Sequence, residues 1–318
     1  MYTTAIIVTY GDRFRLLEEV IHSCLKENVS KIIVIDNDSH KKSKIKLQEF
    51  SKLNKDKIKI IWNDSNLGSA KAFKQGLKEV NNRQESEYIW LLDDDNRPKE
   101  KSLKILKDYW AIKPLDVHAL LSYRPDRNQY KQAIIVKDPK LVLGWENSFN
   151  GFHIFEKFSN LFNKRIENIN INIGEIAYAP YGGMFFHVSI LEEIGYPDED
   201  FFLYSDDHDW TYRITKANKK IYLVLDSVVE DIETSWALSD KRSSVFNKIK
   251  KGDPFRIYYT IRNRTLFEKK YLVKNAFSYR FNRLLFSFIL FCYCFNSDNY
   301  KVFSKAIYDA DNNILEHL

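Results

Sequence analysis

Carboxylates concentrate at two places in this sequence where the neighbouring residues favour chemistry. The first is WLLDDDNRP, in which Asp93, Asp94 and Asp95 directly follow an apolar run. At the end of an extended strand, Asp93 and Asp95 point to one side and Asp94 to the other. Adjacent carboxylates repel unless a cation or donors compensate, and oxygen ligands suit Mg²⁺ or Mn²⁺. We therefore favour a metal site at Asp93 and Asp95 over the alternative, an acidic turn that caps a helix.

The second place is FFLYSDDHDW, in which three aspartates surround a histidine. A metal site, a catalytic base and the acidic first turn of a helix are the three interpretations. Ser205 is a natural N-cap, and a carboxylate such as Asp206 complements the helix dipole. Asp209 and Arg213 have the i,i+4 spacing of a structural ion pair on one helix face. These helix roles leave Asp207 unexplained.

The elements that would position these residues alternate regularly in the first hundred residues. Short apolar runs (AIIVTY, KIIVID, KIKIIW and EYIWLL) are separated by segments of helical periodicity. This βαβαβαβ order predicts an α/β fold with a doubly wound, mainly parallel sheet. Ligands bind beyond the carboxyl ends of such strands, and polar or acidic residues follow all four runs.

The later part of the chain has a less regular pattern. HALLSY, QAIIVK and EIAYAPYGGMFFHVS are predicted strands, the last interrupted by Gly182 and Gly183, and IYLVLDSVV is a further strand. From about Pro254 the pattern is helical and apolar. We expect one domain over residues 1–250 and a helical C-terminal extension over residues 251–318.

Composition is that of an ordinary globular protein, with 44% hydrophobic and 29% charged residues. Three unpaired cysteines and the lack of a signal peptide before the first strand favour a cytoplasmic location. The formal charge is +6, and lysine and arginine concentrate between Lys248 and Arg283. That concentration indicates either an anionic partner or a solvated basic face. No nucleic-acid-binding motif is present, so nucleic acid is not an expected partner.

The segment RLLFSFILFCYCF in the C-terminal extension is strongly apolar. It is shorter than the roughly 20 residues that a membrane-spanning helix needs. Two interpretations stay open: a helix buried against the domain or a partner subunit, which we slightly favour, and a helix lying in a membrane interface.

Several spaced motifs resemble one known family. The chain has no G-x-x-x-x-G-K-[ST] loop and no G-x-G-x-x-G fingerprint, which argues against an NTPase or an NAD enzyme. AIIVTYGDR, VIDNDS, NDSNLGSAKAFKQGL, LLDDDNRP, YGGMFFHVSILEEIGYPDEDFFLYSDDHDWTYRI and YYTIRNR occur in the order seen in family-two glycosyltransferases with the GT-A fold. The similarity covers about Ala5 to Arg264, in particular to bacterial rhamnosyl- and galactofuranosyl-transferase-like members.

The resemblance implies a role for individual residues. Asp207 would be the catalytic base. Metal ligands would be Asp93 and Asp95 of the DXD motif, with Asp231 as a third where many members have His; equally, phosphate oxygens would complete the site. The nucleotide-sugar would be bound by Thr9, Tyr10, Asp36, Asn66, Gly68, Asp94, Gly182 and Gly183. The acceptor would contact Asp206 and Trp236.

The resemblance also implies a reaction and its setting. A metal-dependent (Mn²⁺ or Mg²⁺), inverting transferase would move a sugar from a UDP- or dTDP-linked donor to a glycan acceptor in bacterial surface polysaccharide synthesis, in O-antigen (lipopolysaccharide) or capsule. Galactofuranose, galactose and rhamnose are the candidate sugars. Residues 1–98 would bind the donor and residues 99–250 the acceptor. A lipid-linked acceptor would place the extension at the inner face of the cytoplasmic membrane, and homo-oligomerisation stays open.

Two rival functions share parts of this pattern. A sugar nucleotidyltransferase would use the same sheet and metal, but the first strand lacks the Gly-rich loop expected after it. A non-catalytic carbohydrate- or nucleotide-binding protein would have no need of Asp93, Asp95 and Asp207 together. We therefore favour the transferase.

Overall fold

The computed structural model describes residues 1–83, 86–155, 171–233, 244–294 and 297–315 of the 318-residue chain. Buried, β-branched runs form its strands, and amphipathic segments form the helices that cover them. The strands are β1 (Thr3–Gly11), β2 (Lys31–Ser39), β3 (Ile58–Asn63), β4 (Tyr88–Asp93), β5 (Asn96–Pro98), β6 (Val117–Tyr123), β7 (Ile173–Ile176), β8 (Met184–His187) and β9 (Lys220–Asp231). The α-helices are α1 (Phe14–Lys26), α2 (Lys41–Leu53), α3 (Gly68–Arg83), α4 (Ser102–Ile112), α5 (Asn128–Ile135), α6 (Ile190–Ile194), α7 (Asp206–Lys216), α8 (Val245–Lys251), α9 (Pro254–Tyr271), α10 (Ala276–Cys294) and α11 (Asp298–Asn312).

The strands form a mixed, mostly parallel sheet. Its order is β3-β2-β1-β4-β8-β6-β9-β5, and β7 pairs with β9 on a side branch. β1 is parallel to β2 and β4, β2 to β3, and β6 to β9, whereas β8 is antiparallel to both β4 and β6. Residues 5–8, 32–35 and 89–92 are buried, as expected for strands covered on both faces. The predicted α/β fold with a mainly parallel sheet is therefore confirmed.

The sequence interpretation is wrong at two later segments. QAIIVK lies mostly in helix α5, where Tyr130, Ala133 and Ile134 are buried at helical spacing, so the short apolar run follows a period of 3.6 and not 2. EIAYAPYGGMFFHVS contains two strands, β7 and β8, which have different partners in the sheet. The glycine pair lies in the turn before β8.

The chain divides into two compact units. The described part of the first unit lies within Met1–Val142, Ile169–Glu199 and Asp207–Ser235 and contains the whole sheet. That of the second unit lies within Leu143–Asn168, Asp200–Asp206 and Trp236–Leu318 and contains α8 to α11. The units are thus interleaved along the chain, whereas the sequence suggested one boundary at residue 250. The predicted division of function between residues 1–98 and residues 99–250 stays a prediction.

Aromatic residues dominate the core of the second unit. The rings of Phe149 and Phe286 lie 5.3 Å apart, and those of Phe286 and Phe303 lie 5.8 Å apart. Helix α10 contributes one face to this core through buried Tyr279, Asn282, Phe286, Leu290 and Cys294. Among the described residues, no helix has both the length and the apolar character needed to span a bilayer.

Candidate active site

The neighbouring ends of β1 and β4 bring Thr9 to the aspartate run. Val8 pairs in register with Asp93, the last residue of β4, so Thr9 lies beside Asp94, the residue that follows the strand. Thr9 Oγ1 donates to Asp94 Oδ2 over 2.8 Å. Arg13, the residue before α1, places its Nε 2.9 Å from both carboxylate oxygens of Asp94. Both oxygens of Asp94 therefore have protein partners.

Asn96 connects the aspartate run to the end of β9. The antiparallel pairing of β5 with β9 sets Asn96 opposite Asp231. Its Nδ2 donates to Asp95 Oδ1 over 3.0 Å and to Asp231 Oδ1 over 2.8 Å. Its Oδ1 accepts from the backbone N–H of Asp93 over 3.2 Å. One side-chain amide thus links the carboxylates of Asp95 and Asp231 to the backbone of Asp93, the three residues that were predicted to bind metal.

Arg124, the residue after β6, adds a buried positive charge to this cluster. Its guanidinium pairs with Asp231, and its Nη1 lies 4.0 Å from Asp93 Oδ2. Arg127 Nη2 lies 3.7 Å from Asp231 Oδ2. Charge pairing makes the burial of these groups tolerable, because an isolated buried ion would be strongly destabilising.

Gly182 is required by the packing of the same residues. A Cβ at this position would lie 1.9 Å from Asn96 Oδ1 and 2.7 Å from Arg124 Nη1. Gly183 has a φ of +95°, which residues with side chains rarely adopt. The glycine pair therefore lies at the carboxylate cluster, while its contact with sugar or acceptor stays a prediction.

The cluster holds its protons more tightly than isolated carboxylates do. Burial, together with nearby carboxylates, raises the pKa of Asp94, Asp95 and Asp231 to about 6 each. Arg13 and Arg124 act in the opposite direction, since their charges favour the ionised form. The net upward direction shows that burial outweighs the opposing effect of the two arginines.

A hard divalent cation fits part of this arrangement. The side chain of Asp93 is 42% exposed and that of Asp95 is 18% exposed, and both offer oxygen ligands. Asp231 is committed to Arg124 and Asn96. Within the described ranges, no three His, Cys, Asp or Glu side chains are arranged to hold a metal ion. Asp95 also accepts from Asn96 and Arg13. Asp93 is the most exposed of the three carboxylates, and metal binding by Asp93, Asp95 and Asp231 stays a prediction.

Asp36 is the predicted acceptor for the nucleobase, and it is fully buried near the end of β2. Its Oδ1 accepts from Ser39 N over 3.0 Å, whereas Oδ2 has no hydrogen-bond partner among the described residues. A buried carboxylate oxygen without a donor is costly unless a ligand supplies one. Ser39 and Lys44, which follow it, line an open cavity of about 570 Å³.

Asn66 and Gly68 shape the turn between β3 and α3. Asn66 Oδ1 accepts from Asn37 Nδ2 and from Gly68 N, each over 2.9 Å. Gly68 has a φ of +79°, so glycine is favoured there. Tyr10 is partly exposed, and the guanidinium carbon of Arg13 lies 5.2 Å from the centre of its ring. The nucleotide contacts of these residues stay predictions.

Asp207, the predicted base, is the second residue of α7. Its Oδ1 accepts from His208 N over 2.8 Å, and its side chain is 21% exposed. Desolvation raises the pKa of Asp93, and the charges of Asp94, Asp231 and Asp207 act in the same direction. Asp207 therefore lies within electrostatic range of the aspartate run, although solvent screens part of the effect.

The other residues of FFLYSDDHDW have structural partners. The predicted pair is confirmed: Arg213 Nε donates to the buried Asp209 over 3.1 Å. Trp210 is buried, and its Nε1 donates to Gly195 O over 2.9 Å. The ring of His208 lies 4.0 Å from that of Tyr178, so the histidine packs on an aromatic face. Ser205 precedes α7 with a φ of +58°, unlike the extended backbone of most N-caps.

Two predicted acceptor residues have different outcomes. Asp206 is buried at the first position of α7, and its contact with acceptor stays a prediction. Trp236 lies outside the described residues.

Sequence reasoning missed Arg13, Asn96 and Arg124. Arg13 and Asn96 lie within the motifs AIIVTYGDR and LLDDDNRP, but nothing near Arg124 in the sequence signals that its charge belongs to the site.

Comparison with known proteins identifies the family. The profile described as glycosyl transferase family 2 matches residues 4–195. Among solved structures, GalNAc-T7 with UDP, GalNAc and Mn²⁺ is similar with a TM-score of 0.53 and 16% identity, covering 98% of this chain and 57% of that one. S. aureus TarS 1-349 in complex with UDP-GlcNAc is similar with a TM-score of 0.53 and 15% identity, covering 98% of this chain and 80% of that one.

S. aureus TarS in its longer form has a TM-score of 0.51 and 15% identity, and covers 99% of this chain and 53% of that one. The chain thus spans little more than half the length of GalNAc-T7 and of this TarS structure. No curated protein matches the sequence. These similarities show a shared GT-A fold, and the profile match covers more than half of the chain. The protein belongs to glycosyl transferase family 2.

Proposed function

We propose that the protein transfers a sugar from a UDP- or dTDP-linked donor to a glycan acceptor, with inversion at the anomeric carbon. The observation that carries the proposal is the convergence of Asp93, Asp95 and Asp231 around Asn96, with Asp207 in electrostatic range. Family membership supports the same chemistry. A nucleotidyltransferase is less well supported, since no Gly-rich loop follows β1.

Asp207 is the residue that we assign to proton transfer. Asp207 lies in the first turn of α7, where a negative side chain complements the positive end of the helix dipole. In the proposed step, the acceptor oxygen attacks the anomeric carbon while Asp207 takes the proton of that hydroxyl. The bond from the anomeric carbon to the diphosphate breaks, and the diphosphate leaves with the electron pair. No covalent enzyme intermediate is needed.

Asp93 and Asp95 are the residues that we expect to hold Mn²⁺ or Mg²⁺ against the donor diphosphate. When bound, such a cation neutralises the charge that develops on the leaving diphosphate. Support comes from the oxygen ligands and from the raised pKa of Asp95, to which burial and the charge of Asp93 both contribute. GalNAc-T7, which shares the fold, was solved with Mn²⁺ and UDP.

Asp36 would select the nucleobase. Uracil and thymine both carry an imide N–H, and an ionised carboxylate accepts hydrogen bonds but donates none. The buried Oδ2 of Asp36 would accept from that N–H. Cytosine has no such N–H in its neutral form, so we propose UDP or dTDP donors over CDP donors. Galactofuranose, galactose and rhamnose remain the proposed sugars.

One surface of the second unit supports the proposal of a lipid-linked acceptor. Helix α10 carries Phe277, Phe281, Leu284, Phe288 and Phe291, all exposed and one or two helical turns apart. The helix also contains Arg280 and Arg283 and no carboxylate of its own, and Arg283 pairs with Asp311 of α11. An apolar stripe with basic charge suits an interface rich in anionic lipid. We propose that α10 lies on the inner face of the cytoplasmic membrane.

A screen of nucleotide-sugars tests the proposed function. Wild-type protein is mixed with UDP-, dTDP-, CDP- and GDP-sugars, with Mn²⁺ or EDTA, and its thermal unfolding and donor turnover are measured. We expect UDP or dTDP donors with Mn²⁺ to raise the melting temperature and to be consumed. Asp36→Asn should lose the preference for UDP and dTDP over CDP. Absence of stabilisation or turnover with every donor would refute the proposal.

A further inference from the structure

The segment that leads into α7 has an unusual backbone. Phe202, Tyr204 and Ser205 have φ values of 59°, 65° and 58°. Residues with side chains rarely adopt this left-handed region, because the Cβ crowds the backbone. Three such residues within four positions persist only when surrounding contacts hold them. The neighbouring contacts therefore determine how the chain enters α7.

Those contacts come from Asn263 and Arg262 of α9. Asn263 Nδ2 lies 2.6 Å from the carbonyl oxygens of Phe201 and Leu203 and 3.0 Å from that of Tyr204. Arg262 Nη2 donates to Phe201 O over 3.3 Å, and it also reaches Asp200 O over 2.8 Å. The carbonyl oxygens of Asp200, Phe201, Leu203 and Tyr204 therefore all accept hydrogen bonds from this pair.

Arg262 also fixes the orientation of the asparagine. Its Nε donates to Asn263 Oδ1 over 2.8 Å, so the amide nitrogen must face the turn. The guanidinium carbon lies 4.9 Å from the ring centre of Tyr259, and the ring of Phe202 stacks on the same tyrosine at 5.0 Å. Arg262 and Asn263 are both fully buried. Buried donors of this kind are tolerated only when their hydrogen bonds are made.

We infer that Arg262 and Asn263 are positioning residues for Asp207. They clamp residues 200–204, in which Phe202 and Tyr204 are left-handed, and the chain then runs directly through Ser205 into α7, where Asp207 is the second residue. The inference rests on the proposed function of Asp207 as base. Neither residue of the clamp takes part in the chemistry; releasing the segment lets the base leave its position.

Asn263→Ala tests the clamp against Asn282→Ala. Asn282 is the same residue type, is also buried in the second unit, and donates through Nδ2 to Asn147 O over 2.9 Å. Both variants lose buried hydrogen bonds, but only Asn263→Ala releases the turn. Hydrogen exchange of the peptide covering residues 200–207, donor KM and kcat are measured for both. If Asn263→Ala does not fold, Asn263→Asp keeps the volume, removes the donor and serves instead.

For Asn263→Ala we expect exchange at residues 200–207 at least tenfold faster, kcat at least tenfold lower, and donor KM within twofold of wild type. Asn282→Ala should leave exchange in that peptide and kcat within threefold of wild type. The inference is overturned if exchange at residues 200–207 is unchanged in Asn263→Ala, or if exchange rises while kcat does not fall. If wild-type protein transfers no sugar, the proposed function fails, and with it the role assigned to Asp207. The exchange comparison then still decides whether the clamp holds the turn.

Discussion

The charge of Asp207 helps to raise the pKa of Asp93. Desolvation and the charges of Asp94 and Asp231 make larger contributions in the same direction. The two residues come from the start of α7 and the end of β4, which are far apart in the sequence. A base near the aspartate run is the arrangement that a displacement at a sugar carbon requires, because the acceptor must attack beside the leaving diphosphate.

Metal binding should compete with protons at the carboxylate cluster. The folded pKa of Asp94, Asp95 and Asp231 is about 6, above the unfolded value of roughly 3.9. The folded state therefore binds more protons between these values, and the stability of the metal-free protein falls as pH rises through 6. Mn²⁺ should raise the melting temperature at about pH 7.5 and much less at about pH 5.5.

Thermal unfolding with Mn²⁺ or EDTA at both pH values checks this prediction. The double variant Asp93→Asn/Asp95→Asn is the control, and it should show no Mn²⁺-dependent shift at either pH. An equal Mn²⁺ shift at both pH values, or the same shift in the double variant, would contradict the assigned metal ligands.

The ion pair of Arg124 with Asp231 should make a large contribution to stability. Both side chains are buried, so Arg124→Met leaves a carboxylate without its main partner and should cost about 3–5 kcal/mol. Adding Asp231→Asn should recover part of that loss. Urea unfolding of the two single variants and the double variant gives the coupling energy. The exposed pair of Lys104 with Asp108 should couple by less than about 0.5 kcal/mol. Comparable coupling energies for the two pairs would show that the cluster is solvated.

Gly182→Ala should damage both stability and donor binding. The added methyl group meets Asn96 and Arg124, and such overpacking typically costs about 1–3 kcal/mol. Donor affinity should fall because the displaced residues hold Asp231 and Asp95. Gly195→Ala is the control, since its Cβ meets nothing within 4 Å and only its φ of +68° is unfavourable. Donor affinity is measured by titration calorimetry. The prediction would be contradicted if Gly182→Ala bound donor as tightly as wild type.

Helix α10 should bind anionic vesicles through its apolar stripe. Cosedimentation at low salt should recover wild-type protein with vesicles of anionic lipid and much less with neutral lipid. Phe281→Ser/Phe288→Ser should reduce binding at least fivefold, whereas Tyr308→Ser, an exposed change on α11, should not. Wild-type protein remaining in the supernatant would refute membrane contact. A concentration-dependent dimer lost in the same double variant would assign the stripe to a second copy of the chain.

The sheet was predictable from the sequence because its short apolar runs are stable only as buried strands. Residues 5–8, 32–35 and 89–92 are too short for buried helices and too apolar for loops, so parallel strands follow. QAIIVK shows the limit of that reasoning, since a run of four apolar residues fits both the 3.6-residue period of a helix and the two-residue period of a strand. The helix formed because Tyr130, Ala133 and Ile134 share one face.

The carboxylates of the site were predictable from their place after strands, but their partners were not. Asn96 meets Asp231 only because β5 pairs with β9, and no local pattern indicates that register. Arg124 likewise reaches the cluster through the position of β6 in the sheet. A single arginine after a strand is usually solvated, so its burial in an ion pair appears only in the folded structure.

Sugar transfer by Asp207→Asn, measured beside wild type with a UDP- or dTDP-sugar and acceptor, tests the central claim most directly. The amide keeps the shape of the side chain but cannot take a proton, so kcat should fall by about 10²–10⁴ while donor affinity and melting temperature stay near wild type. Asp116→Asn, a surface carboxylate of the same unit paired with Lys220, should keep full activity. Full transfer by Asp207→Asn would contradict the account.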